Sequence, residues 1–422
     1  MQISNKIIHS EPVKGLNLYS LKTGVNNFVS FKGSFLGGKL FNKSNKLIPE
    51  LLVEMLDKGT KKRDKFKIAN ILENVGAKIN FSNGNYRVYF SGQCLTKDIS
   101  LIISLIAEQL IEPIFNEKDL KSVKKRNILE LVNLKNDTRN QGMIKFLQNL
   151  YPKNHPNRPD QIDKEIIEIE KLKLEDIILF HKKFYGLGNM EMCVVGDVDH
   201  TKVDKNLFEF FNNWKVSSIS IKNISNTLKS KNKSGKSDVV YIKDKSSADL
   251  IIGHEIGINN NHKDYFNIMI AHFILGGNFS SRLMSTIREK EGLTYGIQSS
   301  VSGVDNGNDG YWNVWGTFSP KDINKAKKLI FKQLEIWSEI GISQSELEQK
   351  KNTICGMYKV SFDRTLGVVA RILDTLHRNK PLSFIDEYPQ LINDIQLKEV
   401  NNSIKKYYSR KKCVIISSGT VK

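Results

Sequence analysis

"LEDIILFHKKFY" (residues 174–185) and "LKEVNNSIKKYY" (397–408) carry one pattern twice. Leu174 corresponds to Leu397, Lys182–Lys183 to Lys405–Lys406, and Phe184–Tyr185 to Tyr407–Tyr408, at a constant offset of 223. Each copy reads as an amphipathic helix followed within a few residues by an apolar strand, "MCVVGDV" (192–198) and "CVIISSGTV" (413–421). A second echo lies upstream of each: "NEKDLKSVKKR" (116–126) and "SQSELEQKKNT" (343–353), with Leu120 and Leu347 in register. Such self-similarity marks two copies of one structural design.

Outward from these repeats, "LNLYSL" (16–21) and "NNFVSFKGSFLGG" (26–38) read as strands, and helices are expected at about 46–58 and 65–75. "AKINFSNGNYRVYFSGQCL" (77–95) is expected to be a hairpin, with Asn83–Gly84 supplying the positive φ angles of a tight turn. Helices follow from about 97 to 150. The second half opens with a strand at 249–257 and a helix at 264–277. The expected class is α+β, two homologous halves, each a mostly antiparallel sheet packed with helices. The expected domains are 1–215 and 239–422. "VSSISIKNISNTLKSKNKSGKSD" (216–238), rich in Ser, Asn and Lys, is expected to be the linker.

The 422 residues are 40% hydrophobic, enough to bury large cores. The N-terminal stretch lacks the apolar run of a secretory signal, and no segment approaches the ~20 apolar residues of a membrane span, so a cytoplasmic location is expected. Cys94, Cys193, Cys355 and Cys413 are far apart in apolar segments with no C-x-x-C, which favours buried free thiols. The net charge of +19 is mostly Lys spread along the chain, with no aromatic-interleaved basic motif. A nucleic-acid partner is therefore not expected.

"ILGGNFSSRLMSTIREKEGLTYGIQSS" (274–300) closely resembles the C-terminal domain of the insulinase, pitrilysin and mitochondrial-processing-peptidase family of zinc metallopeptidases. "GTKKRDKFKIANILENVGAKINFSNGNYRVYFSG" (59–92) is similar to the family's N-terminal half, and "FYGLGNMEMCVVGDVD" (184–199) to the end of that half. The resemblance implies paired α+β halves closing over a peptide chamber.

Family catalysts carry an inverted zinc motif, H-x-x-E-H, with a further Glu ligand about 75 residues later. Here "ELLVE" (50–54) stands in its place: Glu50 and Glu54 at the histidine positions, Val53 at the general base. The downstream position falls near Glu130 or Leu131. None of the eight histidines is three or four residues from another, so no helical His pair exists. Catalytic zinc needs about three ligands, largely imidazoles, and an open position for water. No cofactor is expected in this chain. Glu50, Glu54 and Glu130 leave open a hard cation, which carboxylates at i, i+4 seldom hold in place of solvent.

The resemblance further implies an Arg and a Tyr, seven residues apart, that face the zinc; these match Arg288 and Tyr295 in "REKEGLTY". "SRLMSTIREKE" (281–291) reads as a helix stopped by Gly292, and "LTYGIQSSVSG" (293–303) as the start of a strand. A guanidinium and a phenol can both donate to a peptide oxygen that becomes an oxyanion. Otherwise Arg288 would pair with Glu291, Tyr295 would be an ordinary strand aromatic, and Arg282 is a nearby alternative. Strand 248–257 is implied to face the chamber, where an edge strand could take up an extended peptide.

The leading expectation is a zinc-less subunit whose H-x-x-E-H partner holds the zinc, with unstructured peptides as substrates. A structural or peptide-binding scaffold is the alternative, and an autonomous peptidase with a carboxylate-bound metal is a third.

Overall fold

Eleven strands and fourteen α-helices are seen in the computed structural model, which describes residues 2–153, 155–221, 235–305 and 310–421. In chain order the strands are β1 Ile8–Val13, β2 Leu16–Lys22, β3 Phe28–Leu36, β4 Lys78–Asn83, β5 Arg87–Leu95, β6 Met190–Gly196, β7 Ser237–Tyr241, β8 Ala248–Glu255, β9 Ile297–Ser302, β10 Tyr311–Phe318 and β11 Val414–Gly419. The helices are α1 Leu47–Met55, α2 Lys65–Asn74, α3 Ile99–Ile111, α4 Glu117–Leu134, α5 Thr138–Leu150, α6 Ile162–Lys171, α7 Leu174–Phe184, α8 His200–Phe211, α9 Tyr265–Gly276, α10 Ile323–Glu339, α11 Gln344–Val360, α12 Thr365–His377, α13 Phe384–Asn393 and α14 Leu397–Tyr407.

The six-stranded sheet runs β1-β2-β6-β3-β5-β4 and the five-stranded sheet β7-β11-β8-β10-β9. In each, one parallel pair (β2 with β6, β7 with β11) is followed by antiparallel neighbours. The second sheet thus repeats the order of the first without its β1, and the α+β class read from the repeats is what the chain forms. The quoted helices are α7 and α14. Both start with the same device: Asp176 accepts from the Lys173 backbone N–H and Glu399, 223 residues on, from that of Gln396.

The compact units do not follow the order of the sequence. One comprises the described residues within Met1–Leu129, Glu165–Asn226 and Tyr358–Tyr388; the other those within Glu130–Lys164, Thr227–Met357 and Pro389–Lys422. In the first, α12, from late in the chain, lays Val368, Val369, Ile372 and Leu373 on Leu21, Cys193 and Val195 of the six-stranded sheet. In the second, α5, from early in the chain, lays Phe146 and Leu150 on Ile251, Val414 and Ile416 of the five-stranded sheet. Gly142 permits this approach, since a Cβ there would stand 2.8 Å from Ile251 Cδ1. Of the expected linker, residues 222–234 lie outside the described residues, and Ser237–Asp238 open β7.

Two local expectations are corrected. The hairpin β4–β5 forms, but neither Asn83 nor Gly84 takes a positive φ. The connection is longer because the chain after β3 claims it. The N–H groups of Gly37 and Gly38 donate to Tyr86 O, that of Lys39 to Gly84 O and that of Leu40 to Asn85 O, with Tyr86 buried between. The second correction concerns 248–257. β8 is hydrogen-bonded on both sides, to β10 and β11, and all eight of its residues are buried. It is a central strand and has no free edge for a peptide.

Candidate functional site

Helix α1 has seven buried residues out of nine; Glu50 and Glu54 are the two that are not. A greasy helix with two carboxylates four residues apart presents both on one face. Neither is free to hold a metal. Lys39 Nζ lies 2.9 Å from Glu50 Oε1. Glu54 accepts from the Arg126 guanidinium and, at 2.9 Å, from Asn127 Nδ2, both on α4. Val53 is 5% exposed and has no proton-accepting group. Zinc does not fit this set: the two carboxylates are neutralised by side-chain cations, imidazoles are lacking, and nothing could activate a bound water. Among the described residues no three His, Cys, Asp or Glu side chains are grouped to hold a metal ion. The sequence did not single out Arg126. The signal was its distance from Glu54, close to the spacing of the family's third ligand; Glu130 itself is exposed further along α4.

A serine, a histidine and a carboxylate also meet in the first unit, without forming a catalytic triad. Ser34 Oγ and Glu191 Oε2 lie 2.8 and 3.0 Å from the same nitrogen, His377 Nε2. A triad needs the base's two nitrogens turned to different partners. Arg87 donates to both Ser34 and Glu191, so this is a buried structural network.

Arg288 lies in the second unit on a seven-residue π-helical segment, Met284–Lys290. Such wide turns are rare and recur at functional sites. The segment ends at Gly292 (φ 62°), as its sequence predicted, with Leu293 N–H donating to Ile287 O. The expected strand begins only at Ile297, so Tyr295 precedes it. Thr294 shapes this bend: its hydroxyl contacts Gly296 O and Thr317 O, and Gly296 N–H donates to it. The Tyr295 side chain is 96% exposed, unlike an ordinary strand aromatic.

The two candidate arginines differ sharply. Arg282 grips Glu346 in a bidentate pair at 2.6 and 2.7 Å and also donates to Gly341 O. Burial would raise the Glu346 carboxyl, but the hydrogen bonds from Arg282 and Ser343 outweigh it and hold the group down to about 2. Arg282 is thereby committed to the fold. Arg288 is half-buried, and Glu291, its candidate partner, is taken by Lys325 at 2.9 Å. Among the described residues Arg288 meets no carboxylate. Its guanidinium lies 5.1 Å from the ring of Phe279, which is 71% exposed. That contact, worth about 0.5–1 kcal/mol at an exposed site, orients the guanidinium without neutralising it.

Comparison with known proteins identifies the family. Residues 42–158 match the profile of the insulinase family, peptidase family M16, and residues 171–354 that of the peptidase M16 inactive domain. A Helicobacter pylori protein called a non-peptidase homolog, YmxG, is 25% identical over 89% of this chain and 84% of its own length. Two solved structures superpose with a TM-score of 0.86. One is a peptidase M16 inactive domain from Pseudomonas fluorescens, at 20% identity over 99% of this chain and 98% of its own. The other is described as a protease from Helicobacter pylori, at 19% over 98% and 99%. The chain belongs to peptidase family M16, as a member in which the zinc motif has degenerated. No helix among the described residues is long and apolar enough to cross a membrane.

Proposed function

We propose that this chain is the zinc-less subunit of a two-chain peptidase. Its partner would be an M16 chain with an intact H-x-x-E-H motif that supplies both zinc and the water-activating Glu. This chain would help enclose unstructured peptides and present Arg288 and Tyr295 to the carbonyl oxygen under attack. The observation that carries the reading is the contrast between the arginines: Arg282 is spent on Glu346, whereas Arg288 meets no carboxylate among the described residues. A cation without a carboxylate partner and an exposed phenol would each suit an oxygen that gains charge only in the transition state. The four unpaired cysteines are buried, which favours a reducing compartment such as the cytoplasm.

The test is co-expression with an H-x-x-E-H chain encoded in the same genome, followed by turnover of an unstructured peptide. Arg288→Ala is expected to reduce kcat at least tenfold with the zinc content of the complex unchanged, since one oxyanion donor is typically worth about 10²–10³ in rate. Unchanged turnover in an intact complex would instead favour a purely structural or peptide-binding scaffold, a role consistent with the relative described as a non-peptidase homolog.

A further inference from the structure

Lys350 on α11 is 3% exposed, an unusual place for an ammonium group. Its head group has three donors, and the loop that follows α9 supplies three acceptors: Asn278 Oδ1 at 3.0 Å, Ser280 O at 3.0 Å and Ser280 Oγ at 2.6 Å. The Ser280 hydroxyl also lies 3.3 Å from Asn278 Oδ1, which closes the arrangement into a ring. All three acceptors are neutral. Glu346, the carboxylate that acts on Lys350 electrostatically, is itself bound by Arg282. Burying a cation on uncharged acceptors is costly for a fold that needs only a short loop held in place.

The residue between those acceptors is Phe279. It makes no core contribution, being largely exposed, yet its ring lies against the Arg288 guanidinium. Two further constraints act on the same loop. A Cβ at Gly276 would stand 2.4 Å from Ser299 N, so α9 can approach β9 this closely only without a side chain there. On the other side of Phe279, Arg282 ties the start of the π-helical segment to Glu346 and Gly341. The loop is fixed at both ends, and what it displays is an aromatic face for Arg288.

We propose that Lys350 is a positioning residue for Arg288: it locks the Asn278–Ser280 loop so that Phe279 holds the guanidinium in one orientation. Its functional meaning rests on the role proposed above for Arg288, but its geometry does not. The experiment therefore reads the side chain directly, in the full-length chain without a partner. With 15Nε-labelled arginine, the Arg288 Nε–Hε signal is assigned by its disappearance in Arg288→Lys. That signal is expected to be ordered and displaced upfield by the Phe279 ring. Both features should be lost in Phe279→Ala and equally in Lys350→Met, while the Arg282 signal stays in place. An Arg288 signal still ordered and ring-shifted in Lys350→Met overturns the proposal. If Lys350→Met does not fold, the double variant Asn278→Ala/Ser280→Ala keeps the lysine and removes its two side-chain acceptors. The same loss is then expected, and retention overturns the proposal as before. A silent Arg288→Ala in the peptidase assay would remove the catalytic reading and leave this result standing, so the two failures are separable.

Discussion

Arg126 donates its guanidinium to the carboxylate of Glu54, so an organic cation already occupies one of the two carboxylates that α1 presents. A cation that is part of the chain cannot be chelated. Purified protein is accordingly expected to contain well under one divalent ion per chain and to melt at the same temperature with and without EDTA. The pair itself contributes little, because Arg126 is half exposed: Arg126→Ala should cost less than about 1 kcal/mol in urea unfolding. A stoichiometric ion that disappears in Glu54→Ala would refute this picture and revive a carboxylate-bound metal.

Arg282 and Arg288 are six residues apart, yet their removal should read out differently. Arg282→Ala leaves the Glu346 carboxylate with only its Ser343 donors and removes the guanidinium donor to Gly341 O, and is expected to cost about 1–3 kcal/mol. Arg288→Ala breaks only the contact with Phe279 and should stay within about 0.5 kcal/mol of the native chain. The Arg282 cost should also depend on pH. Glu346 is depressed from 4.5 to about 2, so its contribution is fully present above pH 4.5 and is lost as the pH falls towards 2. Urea midpoints of both variants at neutral pH and near pH 3 check the ordering. Equal losses at neutral pH would mean that Arg288 is a structural residue after all.

Acid should attack the second unit through two histidines in its core. The N–H groups of Trp312 Nε1 and Ser409 both point at His254 Nε2, which must therefore accept, and the ring proton sits on Nδ1, donating to Glu255 O. His272, wholly buried beside Trp312 and Trp337, shares a hydrogen bond with Ser299 Oγ. Burial lowers His254 from 6.5 to about 4 and His272 to about 3. The unfolded chain binds these protons at higher pH than the native one, so stability is intact above pH 6.5 and falls as the pH drops towards 4 and 3. The loss reaches the order of 3 kcal/mol per residue. In the first unit His181, lowered to about 4 by burial, adds the same trend. Melting temperatures between pH 7.5 and 4.5 measure the slope; a flat profile would mean that these rings take up protons as readily in the native state as in the unfolded chain.

The repeat made the class legible because sheet order, helix caps and apolar stripes recur with it: Asp176 and Glu399 perform the same task in α7 and α14. The interleaving was not legible. An amphipathic helix such as α5 or α12 announces that one face is to be buried, but two sheets of one design offer nearly the same surface to it. Partner choice rests on fits such as Gly142 against Ile251, which no periodicity reveals. The degenerate motif was readable as missing imidazoles. The pairing of Glu54 with Arg126 was not, because the partner sits on another helix, 72 residues away. Arg288 and Tyr295 were singled out by resemblance, whereas Phe279 and Lys350, proposed above to position Arg288, come from packing alone.

The exchange of helices makes a last prediction about where damage will appear. Gly142 lies in the first half of the chain, on α5, and its missing Cβ leaves room for Ile251 and Ser418 of the five-stranded sheet. Gly142→Ala gains about 1 kcal/mol of helix propensity but brings a Cβ to 2.8 Å from Ile251 Cδ1 and 3.2 Å from Ser418 Cβ, so the two effects should offset and leave it close to neutral. Gly142→Leu has no such room and should cost at least about 1–3 kcal/mol through overpacking. Hydrogen exchange locates that loss. Protection should fall in β8 and β11, between 248 and 419, while β3 and β6 keep theirs, although Gly142 is nearer to both in sequence than to β11. Loss confined to β3 and β6 would mean that α5 serves the sheet of its own half, and the interleaved arrangement would be wrong.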